Sequence, residues 1–273
     1  MDLGINGYGS FKGHEKWLNQ SIQLEVNEAE NRCILLHGFG GSPYDLYPLA
    51  CALHAQQSMC MIPIIDGQQQ MTQRKHILSA DMLIEDSSTH LERAFQHSIS
   101  HKHPTFMIGF SMGGALSIIH AKRFRPTALI LLAPYLGLKQ GRWMLEHIGK
   151  PLARFFPPIP KLAEGRIASK AGRQQYKSGS RWLSLPAVLE LEKIAAEARE
   201  AITQLDCPIL WCHAPADPVA DYERVKELLP AHAEHLECRQ SEHVLLFDHD
   251  SELVIQQILN FIQSFPIHPQ CDA

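Results

Sequence analysis

The sequence predicts an α/β fold on a mostly parallel sheet, because short apolar runs alternate with helical patterns along its 273 residues. Several runs are apolar throughout, which is typical of strands covered by helices on both faces. Right-handed crossovers would join such strands into one sheet. The predicted strands are Ile22–Val26, Cys33–Leu36, Met59–Ile64, Phe106–Phe110, Ala128–Leu132, Ile209–Cys212 and Glu234–Cys238.

Helices are predicted wherever apolar residues recur at intervals of three and four. One stripe of this kind contains Ile84, Leu91, Phe95 and Ile99. The other predicted helices are Asp45–His54, Ala115–Phe124, Ala187–Leu205, Val219–Leu229 and Ser251–Phe265.

The alternation stops between Tyr135 and about Leu205, a segment with no clear strand that contains Pro157-Pro158 and Pro160. We interpret residues 135–205 as a mainly helical cap inserted between residues 1–134 and 206–273 of the core. The segment Leu138–Arg181 has ten basic and two acidic residues, so it carries +8 in a chain of net charge -4. The basic residues are Lys139, Arg142, Lys150, Arg154, Lys161, Arg166, Lys170, Arg173, Lys177 and Arg181.

Composition excludes several classes of protein. The net charge of -4 argues against a nucleic-acid binder, since such domains are usually strongly basic. Seven cysteines, an odd number without a C-x-x-C pair, favour reduced thiols in a cytoplasmic protein. The N-terminal segment Met1–Gln20 lacks the apolar run of a signal peptide. The uncharged stretch between Lys102 and Lys122 divides into a strand, a turn and a helix, so we assign it to the core and predict no transmembrane segment.

The strongest motif is Gly109-Phe-Ser111-Met-Gly113, which lies directly between a predicted strand and a predicted helix. A serine on such a tight turn is held in a strained conformation that projects its hydroxyl above the sheet edge, where it can act as a nucleophile. Side chains at the two glycine positions would collide with the turn. The alternative is a closely packed Gly-rich turn or a phosphate cradle.

A second motif, His37-Gly-Phe39-Gly-Gly41, follows another predicted strand. Acyl transfer creates a negatively charged oxygen that requires two preorganised backbone donors. The N–H groups of Phe39 and of Met112, the residue after the serine, are the predicted donors of this oxyanion hole. The alternative is an ordinary strand-to-helix loop.

These two motifs, together with Leu-Leu-Ala-Pro134, resemble the α/β-hydrolase superfamily. The similarity is greatest to small carboxylesterases and monoacylglycerol-lipase-like enzymes, and it covers Ser21–Pro134 and Cys207–Phe265. The resemblance implies the α/β-hydrolase fold, a mostly parallel central sheet with helices on both faces and a cap insertion. The chain departs from these relatives at Ile65-Asp-Gly-Gln-Gln-Gln70, where a Gly-His-Gly turn is common.

The fold requires the order nucleophile, acid, histidine along the chain. Asp217 follows the strand beyond the cap and is the predicted acid. Its alternative role is to cap the next helix, in which case Asp221 would be the acid. His243 follows the last strand and is the predicted base, with His249 as the substitute.

No metal or cofactor is required by this chemistry. The spacing His232-x-x-His235-x-x-Cys238 and the pair Cys212-His213 suggest zinc, but His235 and Cys238 would lie on opposite faces of a strand and no second ligand pair completes four ligands.

The predicted function is hydrolysis of a small-molecule acyl ester by a serine nucleophile. The alternatives are a thioesterase for acyl-CoA or acyl carriers, which the basic cap favours, and a binding protein on the same fold, which the filled triad positions disfavour. Three roles are open for the positive charges of the cap: formation of an ordinary solvated surface, attraction of an anionic acyl donor, or contact with an anionic lipid surface. An aminopeptidase would need an acidic anchor for the substrate amine, which a basic cap does not favour.

Overall fold

The computed structural model describes residues 20–65, 79–101, 103–138, 159–160, 166–176 and 182–266. Mostly apolar, buried runs form its central strands. The strands are β1 (Ile22–Leu24), β2 (Asn31–Leu36), β3 (Ser58–Ile62), β4 (Thr105–Phe110), β5 (Ala128–Leu132), β6 (Ile159–Pro160), β7 (Trp182–Leu183), β8 (Ile209–His213) and β9 (Glu234–Glu237).

The central sheet has seven strands in the order β1-β3-β2-β4-β5-β8-β9. Only β1 pairs antiparallel, with β3, whereas every other neighbouring pair is parallel. Each of the seven predicted strands is present in this sheet, with ends that differ by at most two residues. The predicted fold class is therefore confirmed.

Helices cover both faces of the sheet. They are α1 (Tyr47–Ala55), α2 (Ala80–His101), α3 (Met112–Phe124), α4 (Lys170–Gln175), α5 (Leu185–Ile202), α6 (Tyr222–Leu228) and α7 (Ser251–Gln263). Alternation along β2 explains the two layers: Cys33 and Leu35 pack with α1 and α7, whereas Ile34 and Leu36 pack with α2, α3 and α5. The two apolar layers leave the carboxyl ends of the parallel strands free to carry a site.

Two of the differences between prediction and structure have identifiable reasons. The segment after Tyr135 does contain strands, because β6 and β7 form a short antiparallel pair through Ile159 and Leu183. The helix predicted from Val219 begins instead at Tyr222. The N–H groups of Val219 and Ala220 donate to the carboxylate of Asp217, which keeps these residues out of the helix.

Much of the predicted cap, including residues 139–158 and most of its basic and aromatic side chains, lies outside the described residues. The division into residues 1–134, 135–205 and 206–273 therefore stays a prediction. The turn at residues 66–70 also lies outside them. Within the part of the chain that is described, no helix is long and apolar enough to cross a membrane. The six described cysteines are free thiols.

Candidate active site

Ser111 lies on the turn between β4 and α3, with φ 55° and ψ -117°. A non-glycine residue with this backbone is strained and persists only where its surroundings hold it. Hydrogen bonds supply that support: the N–H of Ser111 donates to Leu132 O at 3.0 Å, and its carbonyl accepts from Ala115 N and Tyr135 N. The turn presents the hydroxyl at the carboxyl edge of the sheet.

The glycines of the motif allow the turn to close. A Cβ atom on Gly113 would lie 1.9 Å from Leu36 O, and one on Gly109 would lie 2.4 Å from Gly113 O. Both distances are far inside van der Waals contact with backbone atoms. The collisions expected from the sequence are therefore present, and the G-x-S-x-G spacing follows from backbone packing.

The structure brings the three predicted triad residues together. His243 Nε2 lies 3.0 Å from Ser111 Oγ, and His243 Nδ1 lies 2.7 Å from Asp217 Oδ2. All three side chains are buried. The ring of Phe110 packs against the imidazole with centroids 5.2 Å apart, which limits its rotation. The arrangement allows a proton to pass from Ser111 to His243 while Asp217 orients the ring.

Asp217 accepts four hydrogen bonds. Val219 N and Ala220 N donate to Oδ1 at 2.7 and 3.0 Å, while His243 and His213 lie 2.7 and 2.9 Å from Oδ2. Burial by itself would raise the pKa of this carboxyl, but the charge of His243 and the hydrogen bonds from both histidines outweigh burial and lower it. Asp217 is therefore ionised across the neutral pH range.

His213 is a member of this network that the sequence analysis considered only as a zinc ligand. Trp211 Nε1 can only donate, and it lies 3.2 Å from His213 Nδ1. Nδ1 is therefore the acceptor, so the proton is on Nε2 and is donated to Asp217 Oδ2. His213 is completely buried at the end of β8. Its position four residues before the acid was the available signal, because both lie at one strand end.

We expect His213→Leu to lower kcat/KM by about tenfold, because a hydrogen bond to a charged group contributes ~1.5–3 kcal/mol and part of that acts on His243. His213→Gln, which can still donate to Asp217, should retain most of the activity. Steady-state kinetics on a short ester measures both variants, and equal losses in the two would indicate that His213 only fills space.

Asp221 and His249, the alternatives to Asp217 and His243, lie outside this hydrogen-bonded network. Asp221 caps α6 by accepting Arg224 N–H at 3.3 Å. His249 is exposed, and its backbone N–H donates to the carboxylate of Asp248. The geometry thus favours Asp217 over Asp221 as the acid and His243 over His249 as the base.

The loop after β2 is held by His37. Ile65 N–H donates to Nε2 at 3.2 Å, so Nδ1 carries the proton and donates to Gly38 O at 3.0 Å. Phe39 follows on this loop and faces the same cavity as Ser111. Met112 is the first residue of α3, so its N–H has no acceptor within the helix. These positions are compatible with the predicted oxyanion hole, which stays a prediction.

An open cavity lies over Ser111, with about 240 Å³ of empty space that includes its opening to solvent. The residues that line it with Ser111 include Gly38, Phe39, Asp45, Arg166, Tyr176 and His243. A smaller cleft next to it is lined by Asp45 and by the apolar residues Phe110, Leu132, Val244, Leu245 and Leu246. Ser111 therefore faces a space with both polar and apolar walls.

Asp248 joins the segment 166–176 to the loop that carries His243. Its carboxylate accepts the N–H groups of Ala168 and Ser169, each at 2.8 Å, and that of Glu242 at 2.9 Å. Such charge-assisted bonds are among the stronger ones in proteins. The segment that carries Arg166 and Tyr176 is thus fixed to the loop that carries His243. Nothing in the local sequence pattern indicated this role for Asp248.

The zinc interpretation finds no support. The ring of His235 stacks on Trp211 with centroids 3.9 Å apart. Within the described ranges, no three His, Cys, Asp or Glu side chains are grouped to hold a metal ion.

The sequence profile of one hydrolase family, described as "Serine aminopeptidase, S33", matches residues 27–250. The chain belongs to this α/β-hydrolase family. The match spans both predicted parts of the core and the segment between them. The resemblance inferred from the sequence is thereby confirmed, and the chain is a hydrolase by family.

Solved structures of lipolytic enzymes share the fold. A structure from the pair LipS and LipT, two metagenome-derived lipolytic enzymes, superposes with a TM-score of 0.75 at 21% identity over 90% of this chain and 98% of the other. A soluble variant of monoglyceride lipase from Saccharomyces cerevisiae gives 0.70 at 18% identity over 89% of each chain. The monoacylglycerol lipase of Paleococcus ferrophilus gives 0.70 at 15% identity over 89% and 98%. No curated protein matches the sequence significantly.

Proposed function

We propose that this hydrolase cleaves carboxylic esters through an acyl-enzyme formed on Ser111. The observation that carries the proposal is the continuous hydrogen-bonded chain from Ser111 through His243 to Asp217, which opens onto the cavity. The lipases and esterases among the structural neighbours support the same substrate class.

The proposed reaction has two halves. His243 Nε2 accepts the proton of Ser111 as Oγ attacks the ester carbonyl, and the N–H groups of Phe39 and Met112 stabilise the resulting oxyanion. The imidazolium then protonates the departing alcohol. Water, deprotonated by His243, releases the acid and restores Ser111. Asp217 keeps the proton of His243 on Nδ1 throughout.

The polar lining of the cavity leads us to expect a preference for short acyl chains. Arg166 and Tyr176 line the same space as Ser111, and burying a long apolar chain against such polar groups is unfavourable. We expect kcat/KM for p-nitrophenyl acetate and butyrate to exceed that for the dodecanoate by about tenfold or more. A rate profile over esters of increasing chain length measures this. No turnover of any ester would contradict the proposal.

The basic cap keeps a thioesterase as the second candidate. A butyryl-CoA assay beside butyrate esters separates the two, since a thioesterase should favour the CoA substrate. A binding protein on the same fold would turn over neither.

A further inference from the structure

One cation shares the cavity with the nucleophile. Arg166 lines the same 240 Å³ space as Ser111 and His243, and its side chain is half-buried. Its guanidinium makes no ion pair or hydrogen bond to any residue that the structure describes. A partly desolvated guanidinium with five donors is normally satisfied by an anion. Arg166 therefore has donors to offer to a bound molecule.

The position of Arg166 is fixed by the backbone. Val244 N–H, next to the catalytic histidine, donates to Arg166 O at 3.0 Å. Asp248 holds the two residues Ala168 and Ser169, and Arg173 Nη1 donates to Ala168 O at 2.9 Å. The backbone of Arg166 is thus attached to the loop that carries His243, so the base of its side chain is fixed relative to Ser111.

The negative charges around Arg166 have partners of their own. The titratable groups whose charges act on it are Tyr176, Asp45 and Asp217. Asp217 accepts four hydrogen bonds, as described above. Asp45, which lines the same cavity, accepts Ser42 N–H at 3.3 Å through Oδ2 and forms no ion pair with Arg166, and Tyr176 is a phenol that is neutral near pH 7. These groups favour a charged Arg166 without occupying its donors.

We infer that the cavity takes short esters that carry a carboxylate, with Arg166 binding that carboxylate while Ser111 faces the ester carbonyl. The inference rests on the proposed function and names its substrate class. The planar guanidinium matches a carboxylate bidentately. Because Arg166 and Ser111 line one cavity, a small ester that contacts both must carry its carboxylate close to its ester group.

Binding to the Ser111→Ala protein tests this without turnover. We compare two pairs of esters. Monoethyl glutarate, with its carboxylate on the acyl side, is paired with ethyl 5-methylhexanoate, in which an isopropyl group replaces the carboxylate. Acetoxyacetate, with its carboxylate on the alcohol side, is paired with isobutyl acetate, in which the same replacement is made. Calorimetry should show at least tenfold tighter binding of the acidic ester in one of the two pairs, as expected for a charge-assisted contact.

Substitutions of Arg166 test whether this side chain causes the preference for the acidic ester. Arg166→Gln should abolish it, and Arg166→Lys should restore part of it, because lysine keeps the charge without the fork. Lys170→Gln removes an exposed cation four residues away and should leave the preference unchanged. Physiological salt should have little effect, since the pair is in direct contact and shielded.

Equal or tighter binding of the neutral ester in both pairs, or a preference that survives Arg166→Gln, would overturn the inference. Turnover by the wild-type protein separates this failure from that of the proposed function. If Ser111-dependent hydrolysis is observed and the neutral ester is equally favoured, only the carboxylate preference is wrong. If the acidic ester binds tightly through Arg166 and no ester is hydrolysed, the binding site stands and the proposed reaction is wrong.

Discussion

Replacing Ser111 by alanine should lower kcat for ester hydrolysis by about 10⁵-fold or more, because the residues of a triad act as a unit and the covalent step needs Oγ. Covalent labelling by a fluorophosphonate should disappear as well. Alanine suits the strained turn no less well than serine, so the protein should stay folded. Circular dichroism measures whether the protein stays folded, and intact-protein mass spectrometry measures the covalent label.

Ser117→Ala is the matched control for this experiment. Ser117 is buried in the same helix, and its hydroxyl donates to Gly113 O at 2.8 Å. Its removal should leave labelling and hydrolysis within a few fold of wild type. Labelling that persists in Ser111→Ala at another serine would show that the nucleophile has been misassigned.

Asp217→Asn should lower kcat by about 10⁴-fold, through the tautomer of His243. The donors Val219 N–H and Ala220 N–H require the amide oxygen at the Oδ1 position. The amide nitrogen must then occupy the Oδ2 position, where it donates to His243 Nδ1. His243 would carry its proton on Nε2 and could no longer accept the proton of Ser111. Steady-state kinetics on a short ester measures the loss.

Asp221→Asn serves as the control, because asparagine caps a helix about as well as aspartate. It should change kcat less than threefold. A larger loss in Asp221→Asn than in Asp217→Asn would make Asp221 the acid and would exclude the network described above.

The nucleophile turn was predictable because its requirements are local. A tight strand-to-helix turn needs glycine where backbone atoms approach, and Gly109 and Gly113 meet atoms at 2.4 and 1.9 Å. The strands were predictable for a similar reason. A strand covered on both faces is apolar at every position, and Ala128–Leu132 was predicted with the ends that the structure shows.

The choice of the acid was not decided by sequence pattern. Asp217 and Asp221 both precede a helix and both suit a cap. They differ in their place on the loop: Asp217 lies four residues after the end of β8 and 2.7 Å from His243, whereas Asp221 caps α6. The hydrogen bonds from Val219 N–H and Ala220 N–H to Asp217 place the helix start at Tyr222 rather than Val219.

By itself, the sequence determined the fold class and the tight G-x-S-x-G turn, because the first is set by periodicity and the second by close backbone contacts between near neighbours. Only the tertiary structure showed that basic residues of the same segment lie in different surroundings. Arg166 and Lys170 are two of the ten basic residues in Leu138–Arg181, yet Arg166 lines the cavity and Lys170 is exposed. Likewise, His213 became part of the site through Trp211 and Asp217. The partners of a long side chain depend on which distant segments the fold brings beside it, and a linear pattern does not contain that information.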